Sequence, residues 1–146
     1  MSAALPASTP LTAPFTWPVR IYWEDTDAGG IVFYANYLKF FERARTEWLR
    51  ALGLQQSLLR DTHNGMFVVS DTSLRYHQPA RLDDQLLVSV TPQDIGRATL
   101  TLQQEARLVT PTGQTLLCEG TIRVGWVNSS SLKPARIPSL ILELLK

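Results

Sequence analysis

The sequence predicts an α+β domain in which a mainly antiparallel sheet is covered by one long helix. Three observations carry that prediction. Tyr37, Phe41, Ala44, Trp48 and Leu52 recur at spacings of three and four along one face, with charges on the other side. Runs of β-branched and aromatic residues then succeed one another from Met66 to Trp126, with no helical pattern between them. Residues 92–96 and 111–113 place proline and glycine at the breaks. A helix segregated from consecutive strands indicates α+β and not alternating βαβ units. A sheet curled round a long central helix satisfies the pattern.

Taken in order, residues 1–16 read as a flexible tail, since the first fourteen are rich in alanine, proline, serine and threonine and carry no charged side chain. A secretory leader would need a basic start and a continuous apolar segment, and no stretch is long enough to span a bilayer. The cytoplasm is therefore the expected location. Residues 17–146 read as one domain, which the length suits. Residues 19–23 have strand propensity; Glu24, Asp25 and Asp27 end that strand, and Gly29 and Gly30 permit a tight bend. Asn36 stands where a helix N-cap belongs and Gly53 where the helix would stop. A second short helix is expected over 54–60, broken by 61–65. Strands follow over 66–69, 72–76, 85–91, 99–110 and 114–126, and 138–146 reads as a terminal helix.

Lysine and arginine total 14 against 13 acids, a formal charge of +1 that gives no global attraction to nucleic acid or an anionic membrane surface. The single cysteine, Cys118, cannot form an internal disulfide or by itself a zinc site, and reads as a buried structural thiol. His63 and His77 read as surface residues without a partner at ligand or triad spacing. Asp25 to Gly30 resembles the start of a calcium loop but lacks the later oxygen ligands, with Gly29 at the fifth position and Asn36 at the twelfth. No GxSxG elbow, Walker loop, GxGxxG fingerprint or CxxC pair occurs, so several hydrolase, nucleotide and zinc readings lack their defining parts. On its residues alone, Asp27 reads as a turn aspartate bonded to nearby N–H groups, and Glu24 and Asp25 as solvated turn acids. The helix start leaves N–H donors around Ile31 to Tyr37 for an anion or a carbonyl oxygen.

Arg20-Ile21, the run Asp25-Thr26-Asp27-Ala28-Gly29-Gly30-Ile31-Val32, Tyr34 and Tyr37 together resemble the 4-hydroxybenzoyl-CoA thioesterase family of the hot-dog fold. Trp17-Pro18-Val19-Arg20, Glu42-Arg43-Ala44-Arg45-Thr46-Glu47 and Pro79-Ala80-Arg81-Leu82-Asp83-Asp84 are most similar to its Tol-Pal-associated acyl-CoA thioesterase branch. The resemblance implies a curved sheet wrapped round one central helix, a homodimer or homotetramer, and no cofactor or metal. It also implies hydrolysis of a thioester of coenzyme A or of an acyl carrier protein. Asp27 stands at the family's catalytic carboxylate, which either attacks the thioester carbonyl or activates water. Tyr34 stands where many members of that branch carry histidine; the family's use of this position is chiefly its backbone N–H, which polarises the carbonyl. Arg97, Lys133 and Arg136 are the candidate contacts for the coenzyme phosphates, or else ordinary surface charges. The rival readings are a non-catalytic acyl-CoA or carrier-protein binding module and a hydratase of the same fold, which would need a histidine near the acid.

Overall fold

The computed structural model describes residues 14–146. Five strands, β1 (Phe15–Arg20), β2 (Gly65–Tyr76), β3 (Gln85–Ile95), β4 (Thr99–Thr110) and β5 (Gly113–Asn128), form one sheet in the order β1-β3-β4-β5-β2. Every pairing is antiparallel. Helix α1 (Tyr37–Ala51) lies on one face, followed by α2 (Gln56–His63), while α3 (Ser139–Leu145) closes the chain. This is the α+β arrangement expected from the sequence. Among the described residues no helix is long and apolar enough to cross a membrane.

Alternation decides which side of the sheet meets the helix. Leu86, Val88 and Val90 of β3, Leu100, Leu102 and Ala106 of β4, and Cys118, Ile122 and Val124 of β5 are all buried. Against them α1 buries Tyr37, Phe40, Phe41, Ala44, Trp48 and Leu49. Each large apolar side chain so removed from water contributes about 1.5–3 kcal/mol. Bulges between Val69 and Asp71, Pro92 and Asp94, and Ala106 and Arg107 bend the strands. Strand β2, by contrast, is mostly exposed, and one side of its 12-residue length carries no strand among the described residues.

Several boundaries differ from expectation. Strand β1 begins at Phe15, inside the segment read as tail, and stops at Arg20, so Tyr22 and Trp23 leave the sheet and Trp23–Asp25 forms a 3-10 turn; residues 1–13 of that tail lie outside the described residues. Pro18 is accommodated because β1 is an edge strand. The two runs expected at 66–69 and 72–76 are one strand, interrupted only by the bulge at Ser70. Pro92 does not start a turn: β3 continues to Ile95, past the end of its pairing with β1 at Val90, where a missing N–H leaves no partner unsatisfied. The turn comes later, closed by the Gly96 N–H donating to the Thr99 carbonyl at 2.8 Å. Helix α2 starts two residues late and runs to His63, ending at Asn64 with φ 52°.

Gly120 of β5 pairs with Leu74 of β2, which closely approaches it. A Cβ there would lie 2.3 Å from Leu74 Cδ2 and 2.7 Å from the Ser73 carbonyl oxygen. Gly120→Ala should therefore destabilise the fold by about 1–3 kcal/mol through overpacking against backbone, read as a lower urea midpoint. An unchanged midpoint would contradict this close approach.

Candidate active site at the acidic turn and helix start

The chain leaving β1 makes a turn held by bonds within itself and by the Leu82 N–H donating to the Gly30 carbonyl at 3.3 Å. The Asp27 N–H donates to the Ile31 carbonyl at 2.9 Å and the Gly30 N–H to the Asp27 carbonyl at 3.0 Å. Gly30 has φ 80°, a conformation that a side chain disfavours. The Asp27 side chain is exposed, and its Oδ1 accepts the Gly29 N–H at 2.8 Å. A Cβ on Gly29 would stand 3.3 Å from that same oxygen, so glycine leaves the carboxylate accessible. The turn reading of Asp27 is thus correct as local structure, and it leaves the second carboxylate oxygen available for chemistry.

Asp25 is the main correction in this stretch. Expected as a solvated acid, it is 7% exposed, and its Oδ2 accepts the Tyr22 N–H at 2.9 Å. Its carbonyl oxygen accepts two donors from beyond the turn, the Phe33 N–H at 3.1 Å and Asn36 Nδ2 at 2.8 Å. Asn36 does occupy the N-cap position of α1, as expected, but its side chain makes no capping bond to the helix. It lies within a 3-10 turn, Tyr34–Asn36, that precedes α1, and its amide ties the helix start back to the acidic loop. Side-chain capping logic found the residue at the right boundary and missed its partner, which is eleven positions upstream.

That clasp determines which N–H groups remain at the helix start. Those of Val32, Phe33 and Asn36 donate to the carbonyls of Ala80, Asp25 and Phe33. Tyr34 and Ala35 open the 3-10 turn, where N–H groups precede any acceptor inside the turn. The Tyr34 carbonyl accepts the Tyr76 hydroxyl at 3.1 Å, so β2 steadies the same residue. The Tyr34 ring packs on Phe33 at 4.9 Å and edge-on to Tyr76 at 6.0 Å. Beside it lies an apolar depression of about 310 Å³, bordered by Val32, Tyr34, Tyr37, Tyr76 and Pro79. Tyr37 is buried beneath, its hydroxyl oxygen accepting the Ala80 N–H at 3.0 Å, and burial raises its pKa.

The other candidates are distributed differently. Arg97 and Arg136 are exposed and adjacent, because the Ile137 N–H donates to the Arg97 carbonyl at 2.8 Å. Lys133 is on the same returning loop, its carbonyl accepting the Asn128 N–H at 2.9 Å. The three form one basic end. They do not meet Asp27 within one chain: the acidic turn packs against residues 80–84, just before β3, and Arg97 follows the other end of that strand. The length of β3 puts about 30 Å between them. His77 is exposed but not partnerless, since its Nε2 lies 2.8 Å from Glu119 Oε2. Glu119 follows buried Cys118 in β5, and His77 itself borders the aromatic depression together with Tyr34, Tyr37 and Tyr76.

A five-stranded antiparallel sheet packed on one long helix is the hot-dog arrangement. The sequence model of the thioesterase-like superfamily matches residues 21–145, and the chain belongs to that superfamily. It is 42% identical over 124 residues to the acyl-CoA thioesterase YbgC of Haemophilus influenzae, covering 85% of this chain and 88% of that protein. It is 38% identical over 135 residues to the acyl-CoA thioester hydrolase YbgC of Escherichia coli O6:H1, covering 92% and 98%. A 4-hydroxybenzoyl-CoA thioesterase variant solved with 4-hydroxybenzoyl-CoA superposes with a TM-score of 0.85 at 19% identity, over 91% of this chain and 99% of that one. That superposition bears on the fold.

Cys118 is fully buried, and burial with the adjacent Glu119 charge pushes its thiol up to about 12 from 9.0. A raised folded-state pKa means that the folded protein holds this proton more tightly than the unfolded chain does. The associated stability is complete below pH 9 and is lost as pH rises towards 12. Stability measured by denaturation across that window should fall less steeply in Cys118→Ala than in the parent, and thiol reagents should label the native protein only as it unfolds. Rapid native labelling at neutral pH would contradict the burial.

Proposed function

We propose that the protein hydrolyses acyl-CoA thioesters to a free acid and coenzyme A, using the Asp27 carboxylate and the backbone N–H of Tyr34. The observation that carries this reading is the double hydrogen bond to the Asp25 carbonyl, which fastens the acidic turn to the helix start. The names of the YbgC relatives support acyl-CoA as the substrate class, and an acyl carrier protein would present the same thioester. The N–H of Tyr34, near the positive end of the α1 dipole, would stabilise negative charge developing on the carbonyl oxygen. Asp27 would then either attack the carbonyl carbon or take a proton from the attacking water. In both cases the carbon–sulfur bond breaks and the thiolate leaves; after direct attack, water then cleaves the acyl-aspartyl anhydride to release the acid and restore the carboxylate.

We further propose that the working unit is at least a dimer, formed by antiparallel pairing of two β2 edges. An unpaired strand of this length is a ready template for another chain. A two-fold axis at β2 sets the Gly65 end of one copy against the Tyr76 end of the other. Asn64 and Lys133 bond to the strand end around Asn128 and Ser129, beside Gly65, so the pairing carries one copy's basic end towards the other copy's Tyr34. Arg97, Lys133 and Arg136 would thereby meet the phosphates of a coenzyme whose thioester lies at the partner's Asp27. The separation within one chain is what supports a composite site.

Asp27→Ala and Asp27→Asn should each lower turnover by ~10² or more with the fold intact, whereas Tyr34→Phe should stay near wild type because it keeps the N–H. Tyr34→Pro removes that donor and should cost roughly 10²–10³ in turnover, with circular dichroism as the folding control. Equal damage in Tyr34→Phe and Asp27→Ala would assign the chemistry to the phenol and refute the backbone role.

A further inference from the structure

We propose that a second cavity, between α1 and the floor of the sheet, binds the carboxylate of an aliphatic acid with Arg45 as its charge partner. Arg45 sits on the inward side of α1, one helical turn from Trp48 and Leu49, and borders a cavity of about 130 Å³. At about 30 Å³ per water, that is room for a carboxylate and the first few carbons of a chain. The remaining walls are chiefly apolar, with Phe67 and Val69 of β2, Leu102 of β4 and Val124 of β5 facing the helix. Burial lowers the pKa of Arg45, with the charge of Glu42 opposing. Taking a guanidinium out of water is unfavourable unless a counter-charge is present, and no carboxylate among the described residues lies within salt-bridge distance of it.

The arrangement around Arg45 is built, not incidental. Its NH1 donates to Gln104 Oε1 at 3.0 Å. Gln104 has no exposed surface, and its Nε2 donates to the carbonyls of Phe41 at 3.0 Å and Ser89 at 3.2 Å. Those two bonds commit the amide nitrogen to the backbone and turn the amide oxygen to Arg45, so the guanidinium is held by a neutral acceptor, and only the exposed Glu42 opposes its charge. The one acid on the cavity wall, Glu42, is exposed and accepts the Thr46 hydroxyl at 2.6 Å; that hydroxyl in turn accepts Gln56 Nε2 at 3.0 Å. Water screens the exposed Glu42 more than the half-buried Arg45, which leaves the Arg45 end of the cavity positive. A planar anion fits the guanidinium fork, and the apolar walls suit an aliphatic remainder.

Such a carboxylate has two sources. It is either a free short-chain acid, which is also the product class of thioester hydrolysis, or the far carboxyl of a dicarboxylic acyl group; the second source rests on the thioesterase reading and the first does not. Wild-type protein labelled with ¹⁵N-arginine, titrated with hexanoate and with hexanamide, tests the site directly. The Nε–H signal that disappears in Arg45→Lys should shift saturably with hexanoate and not with hexanamide. In parallel, the ratio of kcat/KM for adipoyl-CoA over hexanoyl-CoA is compared in wild type, Arg45→Lys and Arg45→Met. A drop of about tenfold or more in that ratio for Arg45→Met, smaller for Arg45→Lys, assigns the site to the substrate's far carboxyl. A hexanoate-dependent shift with an unchanged ratio assigns it to the free acid. The absence of turnover with any thioester would end the catalytic proposal and leave the titration to decide this one. An Arg45 signal unmoved by hexanoate, or moved equally by hexanamide, together with no drop in the ratio would overturn the inference.

Discussion

The carbonyl oxygen of Asp25 is the point on which the site depends. It accepts the main-chain N–H of Phe33 and the side-chain amide of Asn36, and so joins the end of the acidic loop to the beginning of the central helix. Those bonds add to the ties that the loop and the residues before the 3-10 turn each make to residues 80–84. With them, Asp27 and Tyr34 belong to one hydrogen-bonded segment. Catalytic geometry requires this kind of fixation, because a positioned donor is effective only where charge develops. The buried carboxylate of Asp25 braces the segment from the other side by accepting the Tyr22 N–H.

The core supports this arrangement through a different force. Tyr37, Phe40, Phe41, Ala44 and Trp48 bury one side of α1 on a sheet whose inward residues alternate with outward polar ones. Burial of this kind is non-directional and places the helix only as a cylinder on a surface. Directional bonds then set its rotation and its end. Gln104 reaches from β4 to the Phe41 carbonyl, the Tyr37 hydroxyl accepts the Ala80 N–H, and the Tyr76 hydroxyl reaches the Tyr34 carbonyl. All three bonds tie the helix or its first turn to other elements of the chain.

Much of the fold was legible because its signals are local. The 3.6-residue period of α1, the stop at Gly53 with φ 87°, and β4 over Thr99–Thr110 follow from periodicity and turn chemistry. What was not legible depends on partners remote in sequence. Pro92 looks like a turn residue until β3 is seen to outrun β1. Asp25 looks like a solvated acid until Tyr22, Phe33 and Asn36 close around it. His77 looks solitary until antiparallel pairing brings Glu119 to it, a contact spanning 42 positions. The candidate site was legible in part, since Asp27 and Tyr34 lie within one continuous stretch. Arg97, Lys133 and Arg136 show the opposite case, being near one another and far from Asp27 in a single chain.

In the proposed reaction the acidic turn and the helix start act as one site on a thioester carbonyl. A crystal structure of the Asp27→Asn protein with an uncleaved acyl-CoA tests it most directly. The thioester oxygen should lie at about 2.9–3.0 Å from the Tyr34 nitrogen, with the residue 27 side chain facing the carbonyl carbon or a water beside it. A thioester bound with its oxygen turned away from the Tyr34 N–H, and with residue 27 out of reach of the carbonyl carbon, would contradict it.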